Sequence, residues 1–298
     1  GCDRDGAVGD EQLERAVEAV TSADVAIVAV GERYSQSGEA ASRAHLDLPG
    51  DQRALLEALV ETGTPVAAVL FSGRPLAIDW EAEHVPALLE AWFPGVEAGP
   101  AIADVLLGED DPSGRLPMSF PITEGQIPLY YNRLRTGRPA EDGEVDLTVA
   151  PENHAEKYLS RYLDVPNEPL YAFGHGESYT EFAYTDLTLG TDAVTAEETL
   201  SVEVTVENRG DRAGTEVVQL YVSDLVGSRA RPVRELVRFD KLDIDAGDSA
   251  TVSFELTAAD LAFWTADETY AAEPGAFEVQ VGHASDDITA VERFELVE

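Results

Sequence analysis

The chain is short of basic residues, sulfur and long apolar runs. It is 298 residues long, with 20 Lys and Arg against 58 Asp and Glu and a formal charge of −38 at pH 7. A surface so poor in cations excludes unaided nucleic-acid binding, because affinity for a phosphate backbone comes from Lys and Arg that displace counterions. With one cysteine, Cys2, an internal disulfide is excluded and the core must hold the fold by itself. No apolar stretch reaches the roughly 18 residues expected of a membrane span, and no secretory signal pattern is present. The only methionine is Met118 and the sequence opens Gly1-Cys2, so the expectation is a fragment, a processed product or a trimmed form. Cys2 would be a lipid-anchor site only behind a cleaved leader. No compartment is assigned.

Lysine is scarcer still. Lys157 and Lys241 stand against eighteen arginines, and the acid excess runs along the whole length, −20 over residues 1–180 and −18 over the remainder. This combination suggests a surface suited to concentrated salt, where the Debye length falls to roughly 3 Å and carboxylate repulsion is screened. An acidic surface of ordinary habitat is the alternative. Hydrophobic residues at 44% are too many for a disordered acidic chain, and a packed core is expected.

Two periods divide the chain. The helix candidate Glu11 to Ser22 is followed by the apolar run Val25 to Val30, then the helical stripe Leu55, Leu56, Leu59, Val60 within Asp51 to Thr62. A second apolar run spans Pro65 to Phe71, and Ala87 to Phe93 and Glu97 to Leu107 give a further strand and helix, with Gly108 as the stop. Continuous apolar runs suit strands covered on both faces, and repeated strand and helix units imply a mostly parallel sheet. From about Pro112 to Tyr179 periodicity vanishes. That stretch, which includes Arg138-Pro139-Ala140-Glu141-Asp142-Gly143, is either mobile in part or wrapped over another surface; Tyr130, Tyr131, Tyr158, Tyr162, Tyr171 and Phe173 favour wrapping.

Beyond Phe182 the period becomes two. Leu200 to Glu207, Thr215 to Val222, Thr251 to Leu256, Phe277 to Val281 and Arg293 to Val297 read as short strands with turn signals between them, an antiparallel β-sandwich of about 115 residues.

In a parallel α/β sheet, ligands gather beyond the carboxyl ends of the strands. The loop after Val30 is polar, from Gly31-Glu32-Arg33-Tyr34 through Ser37-Gly38-Glu39 and Ser42-Arg43 to Pro49-Gly50. Glu39 is a candidate acid or base there, against the alternative of a solvated surface carboxylate. Arg43 could pair with Glu39 or Asp47 and steady the loop, or be a surface arginine. Trp92 suits a core or a sugar-stacking role equally. The histidines His45, His84, His154, His175 and His283 show no ligand spacing, and no metal is expected.

The run Gly31 to Gly50 resembles the acid/base loop of family 3 glycoside hydrolases. The likeness continues through Phe71-Ser72-Gly73-Arg74-Pro75-Leu76, Ala91-Trp92-Phe93-Pro94-Gly95, Pro112-Ser113-Gly114-Arg115-Leu116-Pro117 and Tyr171-Ala172-Phe173-Gly174-His175-Gly176. It then enters that family's fibronectin type III-like module at Arg231-Pro232-Val233-Arg234-Glu235-Leu236 and Glu273-Pro274-Gly275-Ala276-Phe277. Several long motifs in order are specific where one short motif is not.

The resemblance implies an α/β sandwich, a mostly parallel six-stranded sheet with helices on both faces, over residues 1–180. It includes the long wrapping segment at about 112–180, and an all-β immunoglobulin or fibronectin III-like sandwich follows over 181–298. It further implies retaining hydrolysis of terminal β-linked sugars, with Glu39 as acid/base and the aspartate nucleophile on a (β/α)8 barrel absent from the sequence. Retaining chemistry sets its two carboxyl groups about 5–5.5 Å apart and requires Glu39 protonated for the first step and ionised for the second. Ser42 and Tyr34 would line outer sugar sites, with Arg43 in support. Ile78-Asp79-Trp80 looks like the nucleophile motif, but its surroundings match the sandwich and assign Asp79 a structural or surface role. No cofactor is implied. The partners implied are a β-linked glucoside or oligosaccharide, the barrel in cis or trans, and a homodimer through a bare barrel-facing surface. A non-catalytic carbohydrate- or protein-binding module is the alternative.

Overall fold

A computed structural model describes Cys2, residues 6–140 and residues 158–298. The acids Glu141-Asp142 with Gly143, and also His154 and Lys157, lie outside the described residues. By internal contact the chain divides into two units, one of residues 1–104 and 120–128, the other of 105–119 and 129–298. The sequence period changes elsewhere, at about residue 180.

In the first unit, helix α1 (Asp10–Thr21) opens on Gly9, whose amide donates to Gln12 Oε1 at 3.1 Å. Asp10 and Glu11 in its first turn complement the positive end of the helix dipole. Leu13, Ala16, Val17 and Val20 recur at helical spacing and form its half-buried stripe. Strands β1 (Ala26–Gly31), β2 (Val66–Phe71) and β3 (Ala87–Glu90) pair in parallel in that order, Ala26 beside Val66 and Ala67 beside Ala87. Helix α2 (Gln52–Val60) connects the first two and buries Leu55, Leu56 and Leu59 together with the side chain of Gln52; α3 (Asp79–His84) connects the last two. Among the described residues this parallel sheet has three strands, not six. Only three apolar runs precede residue 104, so the other three rested on the resemblance alone.

The expected strand Ala87 to Phe93 stops at Glu90, because Trp92 takes a left-handed φ of 52° that extended chain cannot accommodate. Helix α4 (Ala98–Leu107) ends at Gly108, whose φ of +73° is the left-handed C-terminal stop that glycine supplies. Asp79 heads α3 and is exposed, while Trp80 stacks on His84 with ring centroids 4.6 Å apart.

The second unit is built on two sheets. One runs β5 (Ala193–Thr195), β11 (Ile288–Val297), β10 (Gly275–Gly282), β7 (Gly214–Asp224), β8 (Glu235–Ile244); the other runs β4 (Phe182–Leu189), β6 (Leu200–Asn208), β9 (Ser249–Leu256). A single apolar cluster takes Val202, Val204 and Val206 from β6, Val252 and Phe254 from β9, Leu220 from β7 and Val279 and Val281 from β10. Strand β6 buries alternate residues as a strand with one core face should. Strand β7 is covered on both faces over most of its length. Its outer cover is the aperiodic segment: Tyr131 stacks on Phe173 at 4.1 Å and meets Tyr221 edge-on at 6.1 Å, and the Gln219 amide donates to the Gly174 carbonyl at 3.0 Å.

At the centre of this unit Glu216, almost fully buried, accepts from Tyr184 Oη at 2.7 Å and pairs with Arg115 Nη2 and His283 Nδ1 at 2.9 Å each. Burial raises its carboxyl, but the hydrogen bonds from His283 and Tyr184 and the charge of Arg115 outweigh it, and the group lies below the usual glutamate range.

Candidate active site

Three loops leave the carboxyl ends of β1, β2 and β3 and converge there. The first begins at Gly31, held on both sides by the buried amide of Gln52, which accepts from the Gly31 N–H at 2.6 Å and donates to its carbonyl at 2.9 Å. Gly31 has φ 125°, and a β-carbon there would overlap the Phe71 carbonyl, so no other residue fits the crossing.

Glu32 follows with its side chain fully buried. Arg43 Nη1 reaches Glu32 Oε1 at 2.9 Å, Arg74 Nε reaches the same oxygen at 3.1 Å, and the Gly73 amide donates to Oε2 at 3.3 Å. Arg74 Nη2 goes on to the carbonyls of Gln36 and Ala41 at 2.5 and 2.9 Å. A buried carboxylate is tolerated when its oxygens are saturated in this way, and here one acid fixes two arginines: Arg74 holds both ends of residues 36–41, and Arg43 holds the chain at Asp47. Farther along, Leu46 donates to Glu124 Oε1 at 2.9 Å, and that bond from the backbone is the main reason the Glu124 carboxyl lies below its ordinary range. The Leu46 carbonyl accepts from Ala77.

Between these anchors Glu39 stands at the tip of a turn. Ala41 donates to the Gly38 carbonyl at 3.3 Å, and Gly38 and Ala40 both take left-handed backbone, φ 95° and 61°. Glu39 is exposed, and among the described residues its carboxylate makes no hydrogen bond or ion pair. Ser42 is exposed beside the turn, and Tyr34, on the 3-10 turn Tyr34–Gln36, is 90% exposed.

The structure therefore brings Glu39, Ser42 and Arg43 onto one loop but does not join them. Arg43 pairs with Glu32 and with Asp47 at 3.4 Å, not with Glu39. Of the two partners expected for Arg43, Asp47 is met and Glu39 is not: the buried acid Glu32 takes the guanidinium and leaves Glu39 to solvent. Glu32 and Arg74 escaped the sequence reading. Their signal was an acid directly after an apolar strand and an arginine directly after the next one, residues that the parallel register brings side by side.

The second loop packs on the first at Gly73, where a β-carbon would overlap Ser37 Oγ and press on Phe93. The third carries Trp92, half-buried, its ring 5.8 Å from that of Phe120.

The model of the glycosyl hydrolase family 3 C-terminal domain matches residues 5–179, more than half of the chain. This chain belongs to that family. A fibronectin type III-like domain matches residues 216–285. A periplasmic β-glucosidase of Salmonella typhimurium is 44% identical over 270 residues, 91% of this family 3 chain and 34% of that protein. A β-xylosidase of Formosa agariphila is 38% identical over 293 residues, 98% of this chain and 38% of the other. The crystal structure of a β-glucosidase from Listeria innocua in complex with glucose superposes with a TM-score of 0.90 at 44% identity, covering 98% of this chain and 39% of that one. The family 3 chain thus spans little more than a third of the length of the relatives it matches.

Proposed function

We propose that these residues are the C-terminal portion of a retaining β-glucosidase-type hydrolase that cleaves terminal β-linked sugars, with Glu39 as its acid/base. The aspartate nucleophile belongs to a (β/α)8 barrel beyond these 298 residues. One observation carries the reading: an exposed carboxylate at the tip of a turn whose base is locked by the Glu32, Arg43 and Arg74 ion pairs, at the carboxyl ends of parallel strands. Such a group is solvated and accessible, yet its backbone is held, which is what a proton donor to an incoming glycosidic oxygen requires.

In the first step protonated Glu39 delivers its proton to the leaving-group oxygen as the nucleophile attacks the anomeric carbon. In the second, ionised Glu39 takes a proton from the water that releases the sugar, restoring the starting state. Ser42 and Tyr34, exposed on either side of the turn, line the outer sugar sites, and Arg43 acts as a structural support through Glu32. The same reading takes the three-stranded parallel sheet as the family's α/β part and the β-rich part from 181 as its fibronectin III-like sandwich.

The test is hydrolysis of an aryl β-glucoside. The chain alone gives no turnover, and adding the barrel in cis or in trans restores it. Robust hydrolysis by the chain alone overturns the division of labour.

A further inference from the structure

Glu90 ends β3 with its side chain turned into the base of the site. Its Oε1 accepts from the Trp92 amide at 2.7 Å and from Ser72 Oγ at 3.4 Å, while Oε2 is buried with no hydrogen-bond partner among the described residues. Ser72 is fully buried, and its single hydroxyl proton points mainly to the Arg74 carbonyl at 2.7 Å, which leaves the longer Glu90 contact as the weaker arm. Glu90 therefore touches the third loop at the Trp92 backbone and the second at the Ser72 side chain, and the second loop packs directly on Ser37, two residues before Glu39, through Gly73.

Two features of this arrangement are costly for a purely structural residue. A carboxyl oxygen without a partner in a buried place costs on the order of 1–3 kcal/mol. Trp92 at φ 52° is a bulky residue in a left-handed conformation, which costs about 1–2 kcal/mol. The Glu90 to Trp92 amide bond is the contact that offsets this strain.

We propose that Glu90 is a proton-exchanging positioning residue, which sets the Trp92 backbone and, through Ser72 and Gly73, the seat of the Ser37–Ala41 turn. It rests on the reading of Glu39 as acid/base, but its own proton exchange is a property of this chain by itself.

Burial is the largest influence on Glu90 and pushes its carboxyl up to about 7, against the hydrogen bonds from Trp92 and Ser72, with the charge of Glu32 raising it further. Glu32 is the charged group that acts on it; Arg43 and Arg74 are committed to Glu32, and no arginine, lysine or histidine among the described residues forms an ion pair with Glu90. Around neutral pH Glu90 thus changes charge. Ionised, it accepts strongly from the Trp92 amide at 2.7 Å; protonated, it loosens that bond.

The chain has three tryptophans, so Trp80→Phe with Trp264→Phe leaves Trp92 as the sole emitter. In that background Trp92 fluorescence is expected to follow a single-proton transition with its midpoint near pH 7, lost in Glu90→Gln. Absence of the transition, or its survival in Glu90→Gln, overturns the proposal. Should Glu90→Gln fail to fold, Glu90→Asp decides: its shorter side chain withdraws the carboxyl from the Trp92 amide, and an unmoved midpoint overturns the proposal. In the barrel-complemented enzyme the pH profile of kcat/KM loses the same ionisation in Glu90→Gln. A profile identical to the parent's restricts Glu90 to folding and overturns the positioning role. Because the fluorescence arm needs no turnover, loss of Glu39 from the acid/base role and failure of this proposal are separable.

Discussion

Arg43 Nη1 lies 2.9 Å from Glu32 Oε1, inside the first loop, and not against Glu39, four residues before it in the chain. The acid that carries the proposed chemistry and the acid that holds the loop are therefore different residues. Each can be changed without removing the other.

Changing Glu39 removes chemistry and leaves the loop standing. In the barrel-complemented enzyme, Glu39→Ala lowers turnover of substrates with poor leaving groups by about 10²- to 10⁴-fold. Substrates with activated leaving groups suffer least in glycosylation, and azide partly restores the rate by attacking the glycosyl intermediate in place of base-activated water. An unchanged rate takes Glu39 out of the role, while melting of the chain is unaffected in either case.

Changing Arg74 does the reverse. Arg74→Met leaves the fully buried Glu32 with one cation fewer and frees the Gln36 and Ala41 carbonyls. A buried pair broken on one side typically costs about 3–5 kcal/mol. Denaturant melts of Arg74→Met, and of Arg74→Met with Glu32→Gln, check this: the second change recovers part of the loss, and additive losses argue against the pairing.

In the second unit, Glu216→Ala strands Arg115 and His283 in a nearly closed interior, and destabilisation of similar size is expected. The depressed carboxyl of Glu216 means that its stabilisation is present above the unfolded glutamate value and is lost as pH falls through the lower folded value. Acid melts of the parent and of Glu216→Gln should therefore differ most near neutrality and converge in strong acid.

Glu90 runs the other way. Its folded value of about 7 against an ordinary 4.5 means that its contribution is fully present below pH 4.5 and is lost as pH rises through 7. The loss is at most about 3 kcal/mol. Thermal melts across pH 5 to 9 should show the parent falling relative to Glu90→Gln, with the change centred between those two values.

A net charge of −38, spread along the whole chain, predicts that added salt stabilises. The melting temperature is expected to rise steadily with molar potassium chloride. A flat or falling curve would assign the charge to an ordinary acidic surface.

Much of the architecture was legible because burial writes a period into sequence. Helix α1 was expected at Glu11 to Ser22 and occupies Asp10–Thr21, and β6 was expected at Leu200 to Glu207 and occupies Leu200–Asn208. Strand β8 was missed: Arg238, Asp240, Lys241 and Asp243 give it a charged, largely exposed pattern, as an edge strand tolerates. Helix α3 has six residues, too few for a helical period to show. Within the site, the loop and its exposed Glu39 could be read locally. Arg43 was legible as a support for the loop, but its meeting with Glu32 and Arg74 was not, because that meeting depends on the register of β1 beside β2, and a linear pattern carries no trace of which charge ends up inside.

Gly6 and Gly50 lie with their backbones touching. Both take left-handed φ, +82° and +66°, Asp51 donates to the Gly6 carbonyl at 2.8 Å, and a β-carbon on Gly50 would stand 2.7 Å from that carbonyl group. A methyl on Gly6 would meet the Pro49 carbonyl at 2.6 Å. Each position is thus closed to any side chain by its neighbour's backbone, so the start of the described chain and the end of the first loop are clasped at a point where neither can gain a single carbon.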